Sequence, residues 1–76
     1  MKNILITGGA GFVGSSLALN LKRNYPDYNI FCLDNLKRRG SELNLPRLKK
    51  AEIMFVHGDI RNKEDVDGLP AIDTII

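Results

Sequence analysis

The residues best suited to chemistry stand near the start of the chain, in Thr7-Gly8-Gly9-Ala10-Gly11-Phe12-Val13-Gly14. Glycines at 8, 9, 11 and 14 let the backbone itself act as a binding surface, because no side chain stands between the peptide N–H groups and an incoming anion. Gly8 permits a sharp exit from the apolar run before it, Gly11 close approach to a diphosphate, and Gly14 close packing of a helix on a sheet. A helix beginning at Phe12 aims the free amides of its first turn, those of Phe12 and Val13 included, at the anion and adds the positive end of its dipole. A nucleotide-triphosphate loop would need Gly-Lys-Ser/Thr here. Gly14 is instead followed by Ser15-Ser16, with no lysine between Gly14 and Lys22, which argues against ATP hydrolysis of that type. The spacing reads G-x-x-G-x-x-G rather than G-x-G-x-x-G.

The second component is Asp34, 20 residues beyond Gly14 and at the end of the apolar run Asn29-Ile30-Phe31-Cys32-Leu33. A carboxylate there can accept both hydroxyls of an adenosine ribose and repels a 2′-phosphate, which favours NAD over NADP. Arg38 and Arg39 keep the phosphorylated cofactor as the alternative, since a bidentate arginine can hold that phosphate. Glycines, a strand-turn-helix setting and an acid after the second strand are independent requirements. Here they are met together, which weighs against a mere tight turn with a loop-capping aspartate.

The elements that must position these groups follow from periodicity. Asn3-Ile4-Leu5-Ile6-Thr7 lacks polar alternation, as suits a strand buried on both faces. From Phe12 the period lengthens: Val13, Leu17 and Leu21, with Gly14 and Ala18 beside them, form the buried stripe of a helix, and Ser15, Ser16, Asn20 and Arg23 take other faces. That helix ends near Asn24 and Tyr25, ahead of Pro26. A second strand covers 29–34, and Leu43, Leu45 and Leu48 suggest a short helix interrupted or begun by Pro46, packed under the connection or, if left exposed by truncation, promoting association. A third strand covers 52–57. Asn62 is an N-cap with Asp65 at N3, imitating a capping box, for a short helix running toward Gly68, and 73–76 opens a fourth strand. The order β, α, β, short α, β, α, β calls for parallel strands with helices on both faces. The expected class is α/β, the N-terminal part of a Rossmann-type doubly wound parallel sheet, truncated in the fourth strand, with residues 1–76 as one partial cofactor domain.

Composition agrees with a globular chain: 76 residues, 43% hydrophobic and 26% charged, with one cysteine and therefore no internal disulfide. No apolar run reaches the roughly 20 residues of a membrane span, and no signal-peptide stretch follows Met1, so the expected setting is cytoplasmic without membrane contact. The net charge of +2 is uneven: residues 37–50 hold six basic groups against one acidic, and residues 51–76 two basic against six acidic. One short basic cluster without an aromatic-lined groove does not make a nucleic-acid interface, and none is expected. Arg38 is shared between cofactor phosphates and solvent, and Arg39 is assigned to solvent. His57 has no partner in a recognisable catalytic arrangement and reads as structural. Cys32 reads as a small core side chain, and Glu64, Asp65 and Asp67 as solvated charges near a helix start rather than a metal site.

The three segments Thr7–Gly14, Asp34-Asn35-Leu36 and Gly58-Asp59-Ile60-Arg61 together resemble the start of the extended short-chain dehydrogenase/reductase family, the NAD-dependent nucleotide-sugar epimerases and dehydratases. Residues 34–42 with Asn44-Leu45, and residues 55–63, are similar to its CDP-paratose 2-epimerase (CDP-tyvelose epimerase) branch. The resemblance implies that Gly8, Gly11 and Gly14 surround the NAD diphosphate, that Asp34 binds the adenosine ribose with Asn35 and Arg38 near cofactor oxygens, and that Asp59 and Ile60 line the adenine pocket. It further implies a parent enzyme that inverts C2 of a CDP-sugar through a transient keto sugar, with 4,6-dehydration or 4-epimerisation as alternatives and a homodimer as a further expectation. The family moves the proton with a Tyr-x-x-x-Lys pair. Tyr25 and Tyr28 are followed four residues later by Asn29 and Cys32, so no catalytic residue is assigned within these 76 residues, and a non-catalytic nucleotide-binding or structural fragment stands as the opposing reading.

Overall fold

The computed structural model describes residues 2–76. Its elements are β1 (Asn3–Thr7), α1 (Phe12–Asn24), β2 (Asn29–Asp34), a 3₁₀ turn (Ser41–Asn44), α2 (Leu45–Lys50), β3 (Met54–His57), α3 (Lys63–Asp67) and β4 (Thr74–Ile75). The strands form one parallel sheet in the order β3-β2-β1-β4, with Ile4 opposite Ile30 and Thr74, and Cys32 opposite Phe55.

The uninterrupted apolar character of β1 and β2 has a direct cause, since both faces of these strands are covered. Ile4, Ile6, Ile30 and Cys32 point to one face, where Ala18 of α1, Leu48 of α2 and Ile53 pack on them. Leu5, Phe31 and Leu33 point to the other, beside Val56 of β3 and under Val66 of α3, Leu69 and Ile72. The chain steps outward from β1 to β2 to β3, with α1 and α2 on the first face. It then returns past both strands to β4, with α3 on the second. Strand β1 thus has connections leaving in opposite directions on its two sides, and a crevice opens at the carboxyl ends of the strands, where ligands bind in this sheet class.

Local details correct several expectations. Ser15, expected on an outer face, is fully buried, whereas Val13, expected in the buried stripe, is 77% exposed. Ser15 shares the sheet-facing side with Ala18, and its hydroxyl donates to the Phe12 carbonyl at 3.3 Å, so its burial leaves no polar atom unmet. Val13 sits in the first turn, beyond the strand ends. Strand β3 begins at Met54 rather than 52, because Glu52 has φ +62 and its N–H donates back to the Lys49 carbonyl as part of a turn. The Asn62 side chain does cap α3, accepting from Glu64 N–H at 3.1 Å. Asp65, however, does not complete a capping box: it accepts from the Asp59 N–H at 3.0 Å, while the Asn62 N–H goes to the Asp59 carbonyl. Leu45 and Leu48 pack under the connection as expected, but Leu43 is exposed.

Candidate functional site

The glycine loop hangs from the end of β2. Gly8 and Gly9 N–H both donate to the Leu33 carbonyl, at 2.8 and 3.2 Å, and the Gly11 N–H closes the turn on the Gly8 carbonyl at 3.0 Å. Gly8 has φ +65, a conformation that favours glycine. The Gly8 carbonyl is also the point against which α1 is laid down: a Cβ on Gly14 would lie 2.2 Å from its oxygen, and one on Gly11 3.3 Å from it. Gly14 therefore permits the helix to rest on the loop backbone itself. Gly9 faces inward, where a Cβ would come within 2.3 Å of Cys32 Cβ.

Gly11 is the N-cap of α1. It supplies no side chain to satisfy the first-turn amides, and no acid occupies that turn. The Phe12 and Val13 side chains are both largely exposed. A 13-residue helix thus opens on uncapped N–H groups with glycine on the approach, which is a donor set for a diphosphate.

Asp34 ends β2 half-buried, with its carboxylate held from two directions: Oδ2 accepts the Ala10 N–H at 3.0 Å and Oδ1 the Leu36 N–H at 2.9 Å. An ionised carboxylate has about four acceptor sites, so two remain for hydroxyl donors. Leu36 itself has φ +58, the cost of turning the chain sharply enough to cap its own aspartate. Asn35 donates to Asp59 Oδ2 at 3.4 Å, linking the ends of β2 and β3. Asp59 is also gripped by Arg61, whose Nη2 lies 2.7 Å from Oδ2 and whose backbone N–H donates to Oδ1 at 2.9 Å. The Arg61 side-chain bonds first, and its backbone bond second, hold the Asp59 carboxyl well below the usual carboxylate range.

Three contiguous depressions run along the crevice. One of about 130 Å³ lies between Gly8, Leu33, Asp34, Asn35, Asp59 and Ile60. A second of about 330 Å³ is bounded by Gly8, Gly11, Asp34, Asn35 and Arg38, with Lys37 at its rim. A third of about 300 Å³ is bounded by Gly8, Gly11, Phe12, Val13, Gly14 and Arg38. Gly8, Gly11, Phe12, Val13, Gly14, Asp34, Asn35, Arg38, Asp59 and Ile60 each border at least one of them, whereas Gly9, Arg39 and His57 border none. The first two share Gly8, Asp34 and Asn35 and the last two Gly8, Gly11 and Arg38, so backbone donors and a half-buried carboxylate line one crevice, a chemistry that fits a dinucleotide.

Sequence reasoning missed two contributors. Asn44 reaches from the 3₁₀ turn to the glycine loop, donating to the Ala10 carbonyl at 2.7 Å. The sequence marks it only as an amide among leucines 43, 45 and 48 and as part of the Asn44-Leu45 pair in the family resemblance, with no role attached. Arg61 was quoted only as part of a motif, and its pairing with Asp59 depends on a bend that spacing does not reveal. His57 is exposed at the end of β3, edge-on to Phe55. Cys32 is fully buried, and burial, with the Asp34 charge as a smaller cause, pushes its thiol up to about 12, which removes it as a nucleophile near neutral pH. Among the described residues there is no group of three or more His, Cys, Asp or Glu able to hold a metal, and no helix is long and apolar enough to cross a membrane.

Comparison with known proteins gives concordant results. A trifunctional UDP-glucose 4,6-dehydratase/UDP-4-keto-6-deoxy-D-glucose 3,5-epimerase/UDP-4-keto-L-rhamnose-reductase of Arabidopsis thaliana is 47% identical over 79 aligned positions, covering 99% of this chain. A CDP-paratose 2-epimerase of Salmonella typhi is 49% identical over 67, covering 87%. The chain spans 12% and 19% of the lengths of these two relatives. Relatives with different reactions match at nearly equal identity, so the N-terminal sequence does not single out one branch. Among solved structures, a dTDP-glucose 4,6-dehydratase of Bacillus anthracis in complex with NAD superposes with a TM-score of 0.78 at 35% identity, over 88% of this chain and 22% of that one. Residues 4–76 match the NAD dependent epimerase/dehydratase family. The chain therefore belongs to the NAD dependent epimerase/dehydratase family, and NAD is the cofactor that membership gives it.

Proposed function

We propose that residues 1–76 are the first part of an NAD-binding domain in a nucleotide-sugar epimerase, with Gly8, Gly11, Phe12, Val13 and Gly14 presenting backbone to the diphosphate. In this reading Asp34 receives the adenosine ribose hydroxyls, Asn35 and Arg38 approach neighbouring cofactor oxygens, and Asp59 and Ile60 border the adenine. The observation that carries it is the continuity of the crevice from the uncapped first turn of α1, past the Asp34 carboxylate, to the end of β3. Calorimetry with NAD tests it. The wild-type chain binds, and Gly11→Val and Asp34→Ala each weaken binding on the order of tenfold or more, since hydrogen bonds to a charged group are worth about 1.5–3 kcal/mol. Unchanged binding in both variants rejects the pocket.

When bound, NAD supplies reversible hydride transfer. The residues of this chain contribute placement: they fix the adenosine end and the diphosphate, which sets where the rest of the cofactor reaches. They contain no Tyr-x-x-x-Lys pair, so the 76-residue chain alone is expected to bind without turnover of any CDP-sugar. Turnover by it would overturn the assignment of catalysis to residues elsewhere.

For the parent enzyme the reading is inversion at C2 of a CDP-sugar through a transient keto sugar, in a homodimer. It is supported by the likeness of residues 34–45 and 55–63 to the CDP-paratose branch and by the 49% identity to its Salmonella typhi member. A 4,6-dehydratase is the second reading, favoured by the plant relative that matches 99% of the chain. Mass spectrometry of the product formed by the parent separates them, because epimerisation conserves mass and dehydration loses one water. Light scattering on the same protein reads the oligomer.

A further inference from the structure

Ala10 is the one residue inside the Gly8–Gly11 turn that is not glycine, and it is fully buried. Both of its peptide groups are held from outside the loop. Its N–H donates to Asp34 Oδ2 at 3.0 Å, and its carbonyl accepts from Asn44 Nδ2 at 2.7 Å across 34 residues of sequence. The orientation of the Asn44 amide is determined by its other neighbour: the Arg47 guanidinium, which can only donate, lies 3.2 Å from Asn44 Oδ1, so the amide nitrogen must face Ala10. Asn44 also stands at the N-cap of α2, where asparagine ordinarily bonds to its own helix, yet it makes no cap bond there. Its side chain is committed to the glycine loop instead.

The Ala10 carbonyl and the Gly11 N–H belong to one peptide unit. Holding the carbonyl therefore fixes the plane whose N–H closes the turn on Gly8 at 3.0 Å. A peptide turned over would lose that bond and set the Ala10 oxygen against the Gly8 carbonyl oxygen, opening the turn from whose end, at Gly11, the first turn of α1 begins. We propose that Asn44 is a positioning residue for the cofactor site, locking the Ala10–Gly11 peptide so that the turn holds the uncapped first-turn amides of α1 toward the diphosphate. The inference rests on the nucleotide reading above for its ligand, but not for the lock itself.

The test uses the 76-residue chain with Asn44→Ala and Asn44→Asp, read in two ways. In the free protein, hydrogen exchange by NMR should show the Gly11 amide exchanging roughly fivefold faster in both variants, with amides of β1 and β2 unchanged; loss of one hydrogen bond is worth about 1 kcal/mol. Calorimetry with NAD should show affinity falling about fivefold at neutral pH. Asn44→Asp adds a pH signature that a merely structural residue would not give. Its carboxylate cannot donate to Ala10, but its protonated form can, so the deficit relative to wild type at the same pH should shrink as pH falls through the carboxyl range. Wild type that binds NAD beside variants that bind equally well overturns this inference alone. Wild type that binds no NAD overturns the nucleotide reading, and Gly11 exchange still decides whether the lock exists. A general loss of protection across β1 and β2 in both variants would also overturn the proposal, making Asn44 a contributor to stability only.

Discussion

The two sides of the crevice are built from opposite materials. The side after β1 is made of missing atoms: Gly11 and Gly14 crowd the Gly8 carbonyl so closely that an added methyl carbon has little or no room. The side after β2 and β3 is made of charge, with Asp34 tied to two backbone N–H groups and Asp59 to Arg61 and Asn35. Both sides are anchored to the end of β2, through the Leu33 carbonyl and Asp34. The glycine side should fail when atoms are added. The carboxylate side should fail when charge is removed at constant shape.

The strongest test of that contrast is Gly14→Ala. The new carbon would lie 2.2 Å from the Gly8 oxygen, which is backbone and cannot swing away. Overpacking costs about 1–3 kcal/mol, while alanine in a helix regains about 1 kcal/mol over glycine, so the clash should win. A thermal melt lower by several degrees is expected; an unchanged melt would show the loop to be looser than its geometry. Gly11→Ala is gentler. At 3.3 Å its neighbour need give only a little, so the melt should hold within about 0.5 kcal/mol while NAD binding weakens. Equal damage to both properties would erase the distinction between shaping the loop and admitting a ligand.

Asp34→Asn keeps the volume, removes the charge and turns one of the two accepting oxygens into a donor, so that either the Ala10 or the Leu36 N–H loses its partner. It should leave the sheet folded, weaken NAD about tenfold, and relax discrimination against a 2′-phosphate, as measured by the ratio of NAD to NADP affinities. A ratio that does not move would remove the charge argument. The smallest effect belongs to Asp59. Because Arg61 lowers its pKa, the pairing is present above the ordinary carboxylate value of about 3.9 and is lost only as pH falls through the lowered folded value. A carboxyl-carbon NMR titration should place its midpoint below about 3.9. Arg61 is largely exposed and Asp59 still reaches solvent with 25% of its side chain, so the pair is screened and Asp59→Asn should change stability little.

Much of this arrangement was legible because it depends on local rules. The strand cores, the position of α1, the glycine turn and the acid after β2 follow from apolar runs, a change of period and residues with special backbone freedom. The failures have a common origin in tertiary geometry. Periodicity located the helix but misjudged part of its buried face, so Val13 and Ser15 exchanged roles once the sheet ended below the first turn. Asp65 had the right spacing for a capping box and was drawn to the Asp59 N–H instead. Asn44 could not be assigned from its neighbours at all, because its partner is Ala10, brought close only by the folded connection.

The order in which the sheet can assemble follows from the partners of β1. Asn3 bonds Asn29 at a separation of 26 residues and Asp73 at a separation of 70. By loop-closure entropy alone, the second contact costs about 0.9 kcal/mol more than the first. It also recruits only the two-residue strand Thr74–Ile75, whose side chains are exposed, whereas β2 brings four buried residues. The pair β1 and β2 is therefore the natural nucleus, with the glycine turn already suspended from it. The strip at 74–76 closes onto Leu5 and Thr7 afterwards and should be the first to reopen.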